Sequence, residues 1–202
     1  MPKTNPKAVF KQLEADNFPT FTRGDIVFTN NHKSLLARLI RFRGKVEGES
    51  PVCNHCEMYL LNGHSIGANR TVDINSLKRY FNGKHDVIVM HNKKISEEGR
   101  DKLVKEALRY LHKPYDYGGI VWQALDCVTF STFFSRTFNK KFFVYCSELL
   151  QRVYMKAVRR RISKKKVGAG TPSNIYEFVS KHPNWKCVFI MRKKTDGWVI
   201  YN

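Results

Sequence analysis

The sequence has no apolar run long enough to cross a membrane. Stretches such as Val87–Met90 and Val188–Met191 stop after four residues, against the roughly 18–20 that a spanning helix needs. Its first residues, MPKTNPKAVFKQLEADNF, hold no apolar core of a secretory signal, so the expected setting is cytoplasmic or virion-associated. Acidic residues are scarce, with 17 Asp and Glu against 36 Lys and Arg and a formal net charge of +19. That balance predicts anionic partners: nucleic acid, anionic lipid surfaces or cell-wall polymers. Cysteines are few, and their number, five, is odd: Cys53, Cys56, Cys127, Cys146 and Cys187. Their spacing suits no disulfide scaffold, so reduced thiols are expected. Cys53 and Cys56, with His55 and His64 nearby, make half of a zinc site. The other cysteines are too scattered to supply a second half, so neither a metal nor a cofactor is expected. Repeats and low-complexity linkers are also missing.

What is present is a folding sequence, 42% hydrophobic and 13% aromatic over 202 residues, enough for one domain with a short extension. The expected organisation is an N-terminal arm over 1–22, with a short helix in Asn5–Asp16, and a domain over 23–202. Arg23-Gly24-Asp25 reads as a turn into a strand at Ile26–Phe28. Ser34–Arg43 reads as a basic amphipathic helix. Residues 55–60 and 64–68 form a predicted hairpin around Asn62-Gly63, a strong two-residue turn signal. Val87–His91 is a further strand, and Ser96 caps a helix with Glu97 and Glu98 in its first turn. Tyr115–Phe143 is densely aromatic, and its part Trp122–Phe143 suits either packing over the sheet or a lid or pocket for an acyl chain. A helix begins near Cys146, with Leu149, Leu150, Val153, Tyr154 and Ala157 at helical spacing. Thr171-Pro172 opens another helix, and Cys187–Met191 and Trp198–Tyr201 are closing strands.

Two residues carry candidate chemistry. Cys146 stands immediately before an amphipathic helix, where unpaired backbone N–H groups and the positive dipole end favour a thiolate, the nucleophilic form. His55 opens the alternating run HCEMYL, which puts His55, Glu57 and Tyr59 on one face and Cys56, Met58 and Leu60 on the other. An imidazole on a strand beside a helix-start cysteine is what a Cys–His pair requires.

Six segments in order carry a resemblance: GDIVF at 24–28, SLLARLIRF at 34–42, NHCEMYLLNGHSIGA at 54–68, KPYDYG at 113–118, YCSELLQRVY at 145–154 and TPSNI at 171–175. Together they resemble the circularly permuted branch of the NlpC-type papain-like cysteine hydrolases, the YiiX-like group, over roughly residues 23–192. The resemblance implies an α+β fold, an antiparallel sheet packed against helices with the nucleophile at a helix N-terminus. It implies Cys146 as nucleophile and His55 as base and acid, with Tyr145 lining the substrate site. The family places a polar residue about twelve or thirteen positions after the histidine to orient it. Gly67 and Ala68 stand there, and neither can do this. Asn69, through its carbonyl, and Glu57, on the histidine's own strand, are the substitutes.

The implied activity is hydrolysis of an amide or ester through a thioester, on a cell-wall or acyl substrate. The alternative is a papain-like protein without activity, a basic virion or nucleic-acid-associated structural protein. Richness in Lys, Asn, Phe and Ile suits an AT-rich phage or bacterial genome. Neither the substrate nor the oligomeric state is fixed by these features.

Overall fold

The computed structural model describes residues 19, 21–31, 52–82, 84–114, 144–194 and 197–201. The arm up to Phe18, the amphipathic helix at 34–43, Cys127 and the aromatic stretch 115–143 lie outside these residues.

Alternation in the strands builds the fold. Strand β1 (Ile26–Asn31) follows a turn in which Gly24 has φ +82°, a left-handed conformation that glycine adopts without strain. Strands β2 (His55–Leu61) and β3 (His64–Ala68) are joined by Asn62 and Gly63, with φ of 50° and 70°. These are the two positive values that the Asn-Gly hairpin turn requires. Strand β4 (Val72–Ser76) leads through a 3-10 turn (Leu77–Tyr80) to β5 (His85–Asn92). Strands β6 (Trp185–Lys194) and β7 (Gly197–Tyr201) close the chain. All neighbours pair antiparallel in one sheet of order β4-β3-β2-β1-β5-β6-β7.

Among the described residues three helices accompany the sheet: α1 (Glu97–Leu108), α2 (Cys146–Val158) and α3 (Pro172–Lys181). Ser96 and Thr171 cap α1 and α3 with their side chains, accepting from the N–H groups of Gly99 and Asn174. Helix α2 starts differently. Tyr145 precedes it in an extended conformation and gives no side-chain cap, which leaves the positive end of the helix for other groups.

The core has two layers. Ile26, Phe28, Cys56, Met58, Ile66, Ile88 and Met90 point toward Leu103, Leu149, Leu150, Val153 and Ile175 of the helices. Val27, Tyr59, Val87, Val89 and Phe189 point the other way, onto Phe21, Leu77, Tyr80 and Phe81. The α+β antiparallel architecture expected from the sequence is therefore present. Strand β4 alternates Val72-Asp73-Ile74-Asn75 but buries little of it. Only Val72 of that strand is buried and Ile74 is 44% exposed, as an edge strand allows.

Candidate active site

The hairpin and α2 bring Cys146 and His55 together. Cys146 is the first residue of α2 and only 2% exposed. Its thiol faces the start of β2, where the Cys56 thiol and backbone N–H and the His55 imidazole act on it. The alternation in HCEMYL holds: Cys56 and Met58 face the helices, while Glu57 lies on the histidine's side. His55 contacts Glu57 through Nε2, 2.9 Å from Oε1.

Glu57 is fully buried, and its charge is met by donors from three directions. Ser65 Oγ donates to Oε2 at 2.5 Å. Arg79 Nη2 and Tyr80 Oη donate to Oε1 at 2.5 and 2.8 Å. Asn69 Nδ2 approaches Oε1 at 3.4 Å. Asn69 thus joins the network as a donor to Glu57, not through its carbonyl to the imidazole. Gly67 explains why the carboxylate fits. The register that pairs Met58 with Ile66 sets Gly67 across from Glu57, and a Cβ on Gly67 would stand 2.5 Å from Glu57 Cγ and 2.6 Å from Oε1. The missing side chain at Gly67 is the space that Glu57 fills from the next strand. Tyr145 turns its hydroxyl to the Gly168 carbonyl.

The electrostatics follow from this packing. Burial pushes the Glu57 carboxyl up, but the hydrogen bond and charge of His55, with Arg79 and Ser65, outweigh it and hold it at about 2. Burial opposes protonation of His55 as well. The facing Cys146 thiolate and Glu57 overcome this and raise the imidazole to about 10. The Cys146 thiol is pulled well below its ordinary range, first by the Cys56 S–H, then, against burial, by the charge and hydrogen bond of His55. Cys56 moves the opposite way, through burial and its bond to Cys146. Both shifts favour a thiolate facing an imidazolium, with a dry carboxylate behind the ring.

Sequence patterns pointed to Cys146, His55, Glu57, Asn69 and Tyr145 but not to Ser65, Arg79, Tyr80 or the Cys56–Cys146 contact. The first three depend on how β3, β4 and the turn after β4 fold around Glu57. The last depends on which face of β2 the helix covers. The only signal for Ser65 is its place on β3, two residues before Gly67 and so on the same face.

Metal ligation does not fit the donors. Cys53 Sγ is turned to Ser173 Oγ at 3.9 Å, Cys56 to Cys146, and His55 Nε2 to Glu57. No group of three His, Cys, Asp or Glu among the described residues converges on a common point.

A helix-start cysteine facing a strand histidine in an antiparallel α+β fold defines a papain-like arrangement, here with the histidine first in the chain. The chain belongs to the permuted papain-like amidase family (YaeF/YiiX, C92), whose model matches residues 20–189. The crystal structure of metalloprotein YiiX from Escherichia coli O157:H7 superposes with a TM-score of 0.56 at 21% identity, covering 83% of this chain and 96% of that one. At that identity the likeness speaks for the fold. No curated protein matches by sequence. Among the described residues no helix is long and apolar enough to cross a membrane.

Proposed function

We propose that this protein is a cysteine hydrolase that cleaves an amide or ester bond through a thioester on Cys146. The observation that carries the reading is the thiol at the uncapped start of α2, facing an imidazole that a buried carboxylate backs. The Cys146 sulfur attacks the substrate carbonyl carbon. As the tetrahedral intermediate collapses, the C–N or C–O bond breaks and His55 gives its proton to the leaving group. His55 then takes a proton from water, which attacks the thioester and frees the acid and the thiolate. The backbone N–H of Cys146 is a donor for the oxyanion, in the position that a helix start supplies. Glu57 is a positioning residue. It fixes the ring through Nε2 and favours the imidazolium.

The test is acyl-enzyme trapping with an activated ester, read by mass spectrometry of mapped peptides. The expected adduct is on Cys146 and is lost in His55→Ala. Equal labelling of Cys187, the exposed thiol among the described residues, would sink the reading. The excess of 36 basic over 17 acidic residues motivates a second reading, a basic structural protein on nucleic acid. Salt-sensitive DNA binding by a protein whose Cys146 is unreactive would favour it.

A further inference from the structure

The carboxylate behind His55 carries a second cation. Arg79, in the turn after β4, donates from Nη2 to Glu57 Oε1 at 2.5 Å, the oxygen that His55 Nε2 also meets at 2.9 Å. Tyr80 holds the guanidinium there. Its ring centre lies 4.7 Å from the guanidinium carbon, and its hydroxyl accepts from Nη2 at 2.8 Å. Nε of Arg79 is buried without a hydrogen-bond partner among the described residues. An unmet buried donor is costly, so the guanidinium is placed for Glu57 rather than for its own hydrogen bonding. The other groups facing Glu57 are Ser65 and Asn69 from β3 and the Tyr80 hydroxyl, with Cys146 of α2 and Cys56 across His55. His85 of β5 contacts the Tyr80 ring. Burial and the charge of Glu57 push the Tyr80 hydroxyl up, so it stays neutral. Among the described residues, His55 and Arg79 are therefore the two cations in contact with this carboxylate, and only Arg79 keeps its charge at every stage of a reaction.

We infer that Arg79 acts through Glu57 to keep Nδ1 of His55 free of a proton in the acyl-enzyme, which makes it a positioning residue for deacylation. In the resting pair the Cys146 thiolate is the first of the groups that raise His55. Once Cys146 is a thioester that charge is gone, and the imidazole has given its proton to the leaving group. Nε2 still faces Glu57, so Nδ1 is the nitrogen left for water. Water gives Nδ1 a proton as its oxygen bonds to the thioester carbon, and the C–S bond breaks to return the thiolate. Glu57 now faces a neutral ring, and burial pushes its carboxyl up while Arg79 pulls it down. Without the guanidinium the pair would bind a solvent proton more tightly. That proton would rest on the ring, or on Glu57, which would then donate to Nε2. Either way Nδ1 is occupied and the base is lost. The deacylation step rests on the hydrolase reading, whereas the charge coupling does not.

Two measurements separate these parts. The first titrates His55 by NMR in Cys146→Ala, which like the acyl-enzyme has no thiolate, with and without Arg79→Gln or Arg79→Lys. The second follows acyl-Cys146, formed with p-nitrophenyl acetate, by mass spectrometry between pH 5 and pH 9 in the same Arg79 variants with Cys146 in place. Arg79→Gln should raise the His55 pKa by about 0.5 or more, slow deacylation at pH 7 about threefold or more and move its acid limb to higher pH. Acylation at pH 7 should change less than about twofold, because the thiolate–imidazolium pair forms without Arg79. Arg79→Lys should restore most of each loss. A merely structural Arg79 would instead lower both rates together and leave the acid limb in place. Arg79→Gln also leaves a buried carboxylate one cation short. Glu57→Gln/Arg79→Gln removes that strain on folding, and its deacylation should be within about twofold of that of Glu57→Gln. An unmoved His55 pKa, a loss that lysine does not restore, or an undiminished Arg79 effect without Glu57 overturns the inference. Any of these with a normally acylated Cys146 leaves the hydrolase reading intact. A Cys146 that takes no acyl group sinks the hydrolase reading, and the role in deacylation with it, even where the NMR coupling is found.

Discussion

Among the described residues, two buried carboxylates each pair with a half-buried histidine, on strands either side of β1, and only one of these pairs faces a cysteine thiol. His55 meets Glu57 at 2.9 Å beside Cys146. His91 on β5 meets Asp25 at 2.8 Å through Nδ1, but its Nε2 faces Arg100 Nη2 at 3.4 Å. Arginine can only donate, so Nε2 accepts and Nδ1 carries the proton toward Asp25. Arg100 also donates to the carbonyls of Arg23 and Asn92, and Tyr154 to that of Gly24. This second pair fastens the turn before β1 to two helices. The carboxyls differ accordingly. Burial pushes Asp25 up in spite of the Thr22 N–H, His91 and Arg100, whereas Glu57 is held down by an imidazolium and a guanidinium in close contact. A His–carboxylate pair is therefore not in itself a site. What stands at the other ring nitrogen decides whether it locks a fold or drives a thiol.

The largest expected effect breaks or upholds this contrast directly. His55→Ala should slow iodoacetamide alkylation of Cys146 at pH 7 by about 100-fold or more. His91→Ala should change that rate less than about twofold while lowering stability by about 1–3 kcal/mol. Comparable rate losses in the two variants would mean that the pairs do not differ in kind. Next comes Glu57→Gln, which tests the carboxylate. Without its charge the imidazolium is less favoured, so the His55 pKa falls from about 10 and that of Cys146 rises. The acid limb of alkylation should shift to higher pH, and the alkaline limb of turnover to lower pH. The rate at pH 7 should drop about tenfold. Asp25→Asn should move neither limb.

Much of this was legible in the sequence, for reasons that single residues make clear. Asn62-Gly63 fixed the hairpin and hence the strand phase of His55. The spacing of Leu149, Leu150 and Val153 fixed the start of α2 and put Cys146 at its end. Local patterns of this kind repeat every two or 3.6 residues, so they survive without knowledge of the fold. Glu57 was visible as a same-face neighbour but could not be told from Asn69. The difference between them is dryness and four converging donors, which depend on pairing between β2, β3 and the turn at Arg79 and Tyr80. Gly67 is the plainest case. In the sequence it is a departure from the family pattern, and across the register it is room for a carboxylate.

That room is open to test. Gly67→Ala puts a methyl group 2.5–2.7 Å from the Glu57 side chain, so one of the two must move. The expected cost is about 1–3 kcal/mol, with slower alkylation of Cys146 and an acid limb displaced in the same direction as in Glu57→Gln. A variant that is destabilised but keeps the wild-type pH profile would assign Gly67 to packing alone.

Acid unfolding gives a smaller separation between the pairs. Glu57 has a folded pKa of about 2, below its ordinary 4.5, so its contribution is complete above about pH 4.5 and is lost as pH falls toward 2. That loss is up to about 3 kcal/mol, and it should shrink in Glu57→Gln when stability is followed by urea unfolding between pH 5 and pH 2. Asp25 has its pKa raised, so its ionisation opposes folding as pH rises. Asp25→Asn should leave the acid loss in place.

Asn69→Ala should have the smallest effect. Its bond to Glu57 Oε1 is long, 3.4 Å, and the same oxygen already accepts from Arg79 and Tyr80 at 2.5 and 2.8 Å. Removing the weakest of several donors leaves the carboxylate charged and in place, so the alkylation rate at pH 7 should stay within about threefold of wild type. A loss as large as that of Glu57→Gln would give Asn69 the orienting role that its position after the histidine suggests, and would reduce Glu57 to a buried charge that Arg79 neutralises.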